Sequence, residues 1–185
     1  MSINPNQPVI ILASSRSAGN TFDLARSVFP EGSASLIDLS QLNVGYFSYS
    51  YANANDDFLP LVEQLLLSPV WVLATPLYWY TMSAQAKTFI DRLSDLLSFR
   101  KSLGHQLRGK GLAVICTGSD SALPSAFNQS FELTCGYLGM RFLGSYYAQY
   151  AGDNLVSPCA RFSASEFGYM LCNDAANSSS ERTVL

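Results

Sequence analysis

The chain has 185 residues, 14 Asp+Glu against 11 Lys+Arg for a formal net charge of −3, one histidine, four cysteines and 48% hydrophobic residues. That length fits one domain, which at this size buries about 70% of its unfolded surface; residues 1–185 read as a single unit with a core over about 8–172 and a polar tail over 173–185. The acidic balance excludes the clustered Lys/Arg footprint of a general nucleic-acid binder, and no apolar run is long enough for a bilayer span.

The first eight residues carry no side-chain charge, and the apolar run behind them, Val9 to Ala13, is too short for a signal-peptide core, so a cytoplasmic protein is expected. Val9-Ile10-Ile11-Leu12-Ala13 is continuous in hydrophobicity and predicts a strand covered on both faces. Thr21 to Phe29 has helical apolar spacing at Phe22, Ala25 and Phe29 and stops at Pro30-Glu31-Gly32. Ala34 to Leu39 predicts a second strand. Phe58, Leu61, Val62, Leu65 and Leu66 then recur at helical spacing, from acidic Asp56-Asp57 to Ser68-Pro69.

Val70 to Ala74 is the third strand, followed by one helix from about Ser83 to Leu97. Lys101 to Gln106 reads as a turn that leaves His105 in solvent. Leu112 to Cys116 is the fourth strand; Phe127, Phe131, Cys135 and Leu138 mark a helix; Arg141 to Tyr150 is the fifth strand; a last helix covers about Ser163 to Leu171, with fraying from Asn173. Cys116, Cys135, Cys159 and Cys172 lie far apart with no Cys-x-x-Cys pair, so buried free thiols are expected rather than a zinc or iron-sulfur cage. With a single histidine, a multi-histidine metal centre is impossible and a Ser-His-Asp hydrolase is disfavoured.

Strands alternating with helices imply a parallel sheet with helices on both faces, and such sheets bind ligands at the carboxyl ends of their strands. Three loops therefore matter. Ser14-Ser15-Arg16-Ser17-Ala18-Gly19-Asn20-Thr21 offers hydroxyls, an amide, a glycine and one cation just before a helix, which suits a monophosphate. Ordinary N-capping by Ser17 or Asn20 is the competing reading. There is no G-x-x-x-x-G-K-[ST] and no G-x-G-x-x-G, and Asp38 is read as a strand-end polar residue.

Thr75-Pro76-Leu77-Tyr78-Trp79-Tyr80-Thr81-Met82 puts three consecutive aromatic rings at a strand end. Broad aromatic faces beside backbone amides suit a planar heterocycle; packing on a helix or partner subunit is the alternative, and Tyr80 fits it better than Pro76 to Trp79. Thr117-Gly118-Ser119-Asp120 adds small side chains and a glycine that lets backbone approach a ligand edge.

Ala13 to Thr21 resembles the G-S-x-R-x-x-G-N-T phosphate loop of the flavodoxin-like NAD(P)H-dependent FMN reductases, with Ala13 in place of the usual first glycine. Thr75 to Leu93 resembles their P-x-Y-W-x-x-M-S-x-x-x-K-x-F-x-D-R stretch. The resemblance runs from about Pro8 to Tyr150. It implies an α/β, flavodoxin-like three-layer sandwich with a five-stranded parallel sheet in the order 2-1-3-4-5. It also implies FMN, with Ser14, Arg16, Ser17, Gly19, Asn20 and Thr21 around the phosphate, Pro76, Leu77, Tyr78 and Trp79 along the isoalloxazine, and Thr117 and Gly118 at its other edge. Lys87, Asp91 and Arg92 belong to the motif, but their helical spacing points to ion pairs. Gly45 to Tyr51 has no cysteine where iron-sulfur relatives carry them, so no cluster forms there.

The activity implied is ping-pong transfer of reducing equivalents from NADPH or NADH through FMN to a small acceptor such as a quinone, flavin, azo or nitro compound, in a homodimer or homotetramer. The rival is a flavodoxin-like FMN-binding electron carrier without NAD(P)H oxidoreductase activity, although a charge of −3 lacks the strongly acidic docking face such carriers use. The basic run Arg100, Lys101, Arg108 and Lys110 either meets the 2′-phosphate of NADPH or forms a solvated face, the commoner use of such a run.

Overall fold

A computed structural model describes residues 3–157 and 163–182. Five parallel strands form where apolar runs were expected: β1 (Val9–Leu12), β2 (Ser35–Asp38), β3 (Val70–Pro76), β4 (Gly111–Gly118) and β5 (Arg141–Ala151). A sixth, β6 (Asn154–Ser157), turns back antiparallel to β5, and the sheet order is β2-β1-β3-β4-β5-β6. The expected five-stranded, wholly parallel sheet is thereby corrected to a six-stranded mixed one. The physical reason is local: Gly152 adopts φ +61° and, with Asp153, makes a two-residue turn that pairs Ala151 with Asn154.

Because successive side chains on a strand point to opposite faces, each central strand feeds two cores. Val9, Ile11, Trp71, Leu73, Leu112, Val114 and Cys116 pack with Phe58, Val62, Leu65, Phe89, Phe131 and Cys135. These belong to α2 (Phe58–Leu65), α3 (Ala84–Arg92) and α6 (Ser125–Leu138). Ile10, Leu12, Val72, Ala74, Ala113 and Ile115 pack on the other face with Leu24, Ala25, Val28, Phe167 and Leu171. Those come from α1 (Asn20–Val28) and α7 (Ala164–Arg182). Helices thus cover both faces of a mostly parallel sheet, a flavodoxin-like α/β sandwich.

The helix expected over Ser83 to Leu97 is broken into α3 and α4 (Asp95–Ser98), and the stretch read as a turn at Lys101 is helical as α5 (Lys101–His105), with His105 exposed at its end. The break follows Arg92, which is 1% exposed and held in place by charge. Its guanidinium donates to Asp95 Oδ2 at 2.9 Å, to both carboxylate oxygens of Asp56, and to the carbonyls of Gly45 and Asn53, and it lies 4.6 Å from the Phe58 ring. α7 continues to Arg182 instead of fraying at Asn173; Arg141 clamps Asp174 with two 2.7 Å hydrogen bonds. Cys116 and Cys135 are buried free thiols, Cys172 is half-buried, and Cys159 lies outside the described residues.

Candidate functional site

The carboxyl ends of β1, β3 and β4 open onto a cleft of about 370 Å³, inside the range of small-molecule sites. It is lined by Ser14, Arg16, Asn20 and Thr21 from the first loop, Pro76, Leu77 and Tyr78 from the second, and Thr117, Gly118 and Ser119 from the third. Tyr150 and Gly152 complete it from the β5–β6 hairpin. The three loops singled out in the sequence therefore meet.

The first loop does not cap its own helix. Gly19 occupies the N-cap position, and among the described residues no side chain accepts from the first turn of α1. Neither Ser17 nor Asn20 caps: the Ser17 hydroxyl pairs with Ser40 at 3.1 Å, while Asn20 Nδ2 donates to the Gly152 carbonyl at 2.7 Å. The amides of Asn20, Thr21 and Phe22 have no intrahelical partner by helix geometry, so a positive helix end faces the cleft. The Arg16 guanidinium folds over Gly19, where a Cβ would stand 3.1 Å from Nε. Ser14 is buried and its hydroxyl accepts from the Arg16 amide at 3.4 Å. Ala13, in the place of the usual glycine, needs no left-handed backbone.

The second loop is a tight knuckle. Tyr78 and Thr81 exchange backbone hydrogen bonds of 2.9 and 3.1 Å, and both residues between them are left-handed, Trp79 at φ +51° and Tyr80 at φ +66°. That is the pattern of a type I′ turn, which normally recruits Asn-Gly. Trp79 is 93% exposed at the tip, so it projects past the cleft instead of lining it; Tyr78 is the ring that lines it, its hydroxyl 3.1 Å from Ser15 Oγ. Ser83 anchors the base: its hydroxyl donates to the Ala13 carbonyl at 2.6 Å and accepts from the Ala86 amide, and its amide donates to Thr75 Oγ1 at 2.9 Å.

The third loop is tied to the other two. The Leu77 amide donates to the Thr117 carbonyl at 2.7 Å, and Thr117 Oγ1 is 2.8 Å from Thr21 Oγ1. Gly118 is required by crowding on its protein side, since a Cβ would stand 2.8 Å from the Tyr147 hydroxyl and 3.1 Å from Leu77 Cβ. That hydroxyl donates to the Asp120 carbonyl at 2.7 Å, and burial, with Cys116 and Asp120 nearby, pushes the phenol up to about 12. It therefore stays protonated and donating throughout the neutral range.

Other motif residues fall where their charges are satisfied. Lys87 and Asp91 form an i,i+4 pair at 2.6 Å on the outside of α3, and the Asp38 carboxylate accepts from the Ser40 amide at 2.9 Å. The basic run splits up: Arg100 pairs with Glu63, Lys110 is buried against the carbonyls of Leu66 and Ser68, and Lys101 and Arg108 are exposed. Lys110 precedes β4, so this run flanks the opposite end of the strand from Gly118, about 23 Å away over seven residue steps.

Tyr150 and Gly152 line the cleft but escape the sequence reading, whereas Ser119 belongs to the third loop it singled out. The only local signal is Gly152-Asp153, a hairpin-turn pair between apolar runs.

Over residues 8–153 the chain matches the sequence model of the NADPH-dependent FMN reductase family. It is 30% identical over 147 residues, 73% of this chain and 80% of the relative, to the Bacillus subtilis (strain 168) protein YwqN, named as an NAD(P)H-dependent FMN-containing oxidoreductase. Among solved structures it is similar to the Trp repressor binding protein from Bacillus subtilis (TM-score 0.66, 24% identity, 92% of this chain and 96% of that one). It is also similar to an NADPH-quinone reductase from P. pentosaceus (TM-score 0.54, 19% identity, 75% and 82%). These two likenesses bear on the fold alone. A family match over most of the length, on a flavodoxin-like sheet whose strand ends open into a cleft with an uncapped helix, makes the chain a member of the NADPH-dependent FMN reductase family, an NAD(P)H-dependent oxidoreductase that works with FMN.

Proposed function

We propose that the cleft at the ends of β1, β3 and β4 holds FMN and that the protein passes reducing equivalents from NADPH or NADH to a small acceptor of the quinone, flavin, azo or nitro class. The observation that carries this reading is the uncapped N-terminus of α1 opening into the cleft beside Ser14 and Arg16. An anion is the group such a helix end lacks. Ser14, Arg16, Gly19, Asn20 and Thr21 hold the phosphate; Pro76, Leu77 and Tyr78 lie along the ring system; Thr117 and Gly118 face its other edge. Ser17, engaged with Ser40, supports the loop from behind. Trp79, at the exposed tip, offers its ring to the molecule that stacks on the open side.

When bound, FMN supplies the two-electron chemistry, and the protein supplies placement and electrostatics. The amides of the first turn of α1 and the Arg16 guanidinium bind and orient the phosphate. The Thr21–Thr117 contact fixes the distance between that anchor and the third loop. Leu77 and Pro76 keep water from one side of the ring pocket, and Tyr78, pinned through Ser15, holds the knuckle against the phosphate loop.

A homodimer or homotetramer agrees with the exposed aromatic and aliphatic side chains Trp79, Tyr80, Leu133, Tyr137 and Tyr169. A cytoplasmic setting agrees with the free thiols of Cys116, Cys135 and Cys172. Among the described residues no helix is long and apolar enough to cross a membrane.

The test is the visible spectrum of the purified protein, then anaerobic addition of NADPH and steady-state NADPH and NADH oxidation with each acceptor class. A flavin spectrum bleached by either nucleotide and turnover with an acceptor are expected. A colourless protein that rejects added FMN would falsify the assignment, and a bound flavin that neither nucleotide bleaches, with no NADPH or NADH oxidation, would mean an electron carrier instead.

A further inference from the structure

Arg16 is the only cation among the described residues that line the cleft, and it already has an acid beside it. Its Nη1 is 3.6 Å from Asp153 Oδ1, with the side chains 61% and 81% exposed. Asp153 stands there for backbone reasons. The β5–β6 turn has only Gly152 and Asp153 between the paired residues Ala151 and Asn154, and Asn20 Nδ2 donates to the Gly152 carbonyl at 2.7 Å. The hairpin tip is thus fastened to the first residue of α1, the helix whose uncapped end faces the cleft.

We propose that Asp153 is a specificity residue that weakens the hold on the flavin phosphate and keeps FMN exchangeable. The proposal rests on the reading of this cleft as the FMN site. A phosphomonoester carries close to two negative charges at neutral pH. On reaching the end of α1 it must share Arg16 with a carboxylate and sit close to that carboxylate's own charge, so part of the cation's contribution is cancelled before the ligand arrives. Riboflavin has the same ring system without the phosphate and does not feel this opposition. A flavin that is itself the molecule to be reduced and released needs such a loosened anchor, whereas a permanent electron carrier does better without it.

The test is titration of the full-length protein with FMN and, separately, with riboflavin, followed by flavin fluorescence at low and at high salt. Three proteins are compared: wild type, Asp153→Asn, and Glu31→Gln, an exposed acid beyond the far end of α1 that changes net charge equally. Asp153→Asn is expected to lower the Kd for FMN about three- to fivefold at low salt. The gain should shrink at high salt, the Kd for riboflavin should stay within about twofold, within what a surface change produces, and Glu31→Gln should match wild type. FMN bound equally by Asp153→Asn and wild type, or more weakly by Asp153→Asn, would overturn the proposal and leave the cleft assignment standing. Equal tightening of FMN and riboflavin would also overturn it, because the hairpin would then act as a cover and not through charge. Failure of all three proteins to bind FMN would remove the cleft assignment and this proposal together.

Discussion

The hydroxyls of Thr21 and Thr117 lie 2.8 Å apart, both buried, and join the first turn of α1 to the end of β4. One loop brings an anion site and the other a ring edge, so this single contact sets the span of the ligand. Replacing one hydroxyl by the isosteric methyl of valine leaves the other buried without its partner, at a cost of about 1–3 kcal/mol. Thr21→Val and Thr117→Val are each expected to lower stability by that amount and to weaken FMN binding about tenfold. The double variant should lose less stability than the two singles added together, because neither hydroxyl is then stranded. Urea unfolding of the four proteins, with FMN titration alongside, measures both effects.

Trp79 and Tyr80 hold left-handed backbone conformations in the exposed knuckle, a conformation that costs a non-glycine residue about 1–2 kcal/mol. Trp79→Asn combined with Tyr80→Gly supplies the pair that a type I′ turn favours. The variant is expected to gain about 1 kcal/mol in stability while NADPH oxidation falls several-fold, because strain kept at a strand end marks a working surface. Denaturation midpoints and steady-state rates on the same preparations decide it. Unchanged turnover would reduce the knuckle to scaffold.

Arg92 is enclosed by Asp56, Asp95 and two carbonyls, and Asp95 Oδ1 finds no partner among the described residues. Removing the guanidinium strands two buried acids, so Arg92→Met is expected to cost about 3–5 kcal/mol, and Arg92→Lys recovers only part because an ammonium lacks the planar fork.

The same cluster gives acid sensitivity. Burial pushes the Asp56 carboxyl upward, but the hydrogen bond from Arg92, the amides of Phe58 and Gly45, and the Arg92 charge together hold it below its ordinary value of 3.8. A depressed folded value means that this contribution is complete above the unfolded value and is lost as pH falls through the folded one. Asp56→Asn is therefore expected to be less stable than wild type at neutral pH, with the gap narrowing below pH 3.8. Denaturant unfolding as a function of pH measures the convergence.

Gly118 meets the Tyr147 hydroxyl on one side and Leu77 on the other. Gly118→Ala is expected to cost about 1–3 kcal/mol through overpacking and to displace the Pro76–Tyr78 wall, weakening FMN binding. Tyr147→Phe removes the atom nearest the new methyl, so the pair Gly118→Ala/Tyr147→Phe should recover part of both losses. No recovery would place the clash on Leu77 alone.

Much of this architecture was legible in the order of residues. Continuous apolar runs such as Val9 to Ala13 and Val70 to Ala74 suit strands buried on both faces of a parallel sheet, and glycine and proline punctuation delimits their helices. The loops after Ala13, Ala74 and Cys116 could be identified as ligand-bearing because strand ends are where such sheets bind. The sequence did not reveal the pairing of Arg16 with Asp153, the anchoring of Asn20 on Gly152, or the enclosure of Arg92 by Asp56 and Asp95. Each joins residues far apart in the chain or separated by a helix break, and side-chain partnership at that range carries no periodic signal. The sixth strand was missed for the related reason that four residues have too little pattern to distinguish a hairpin return from a loop, and only the open edge of β5 decided it. Local chemistry thus determined which elements form and which loops face the ligand, while tertiary packing decided which charges stay available to bind it.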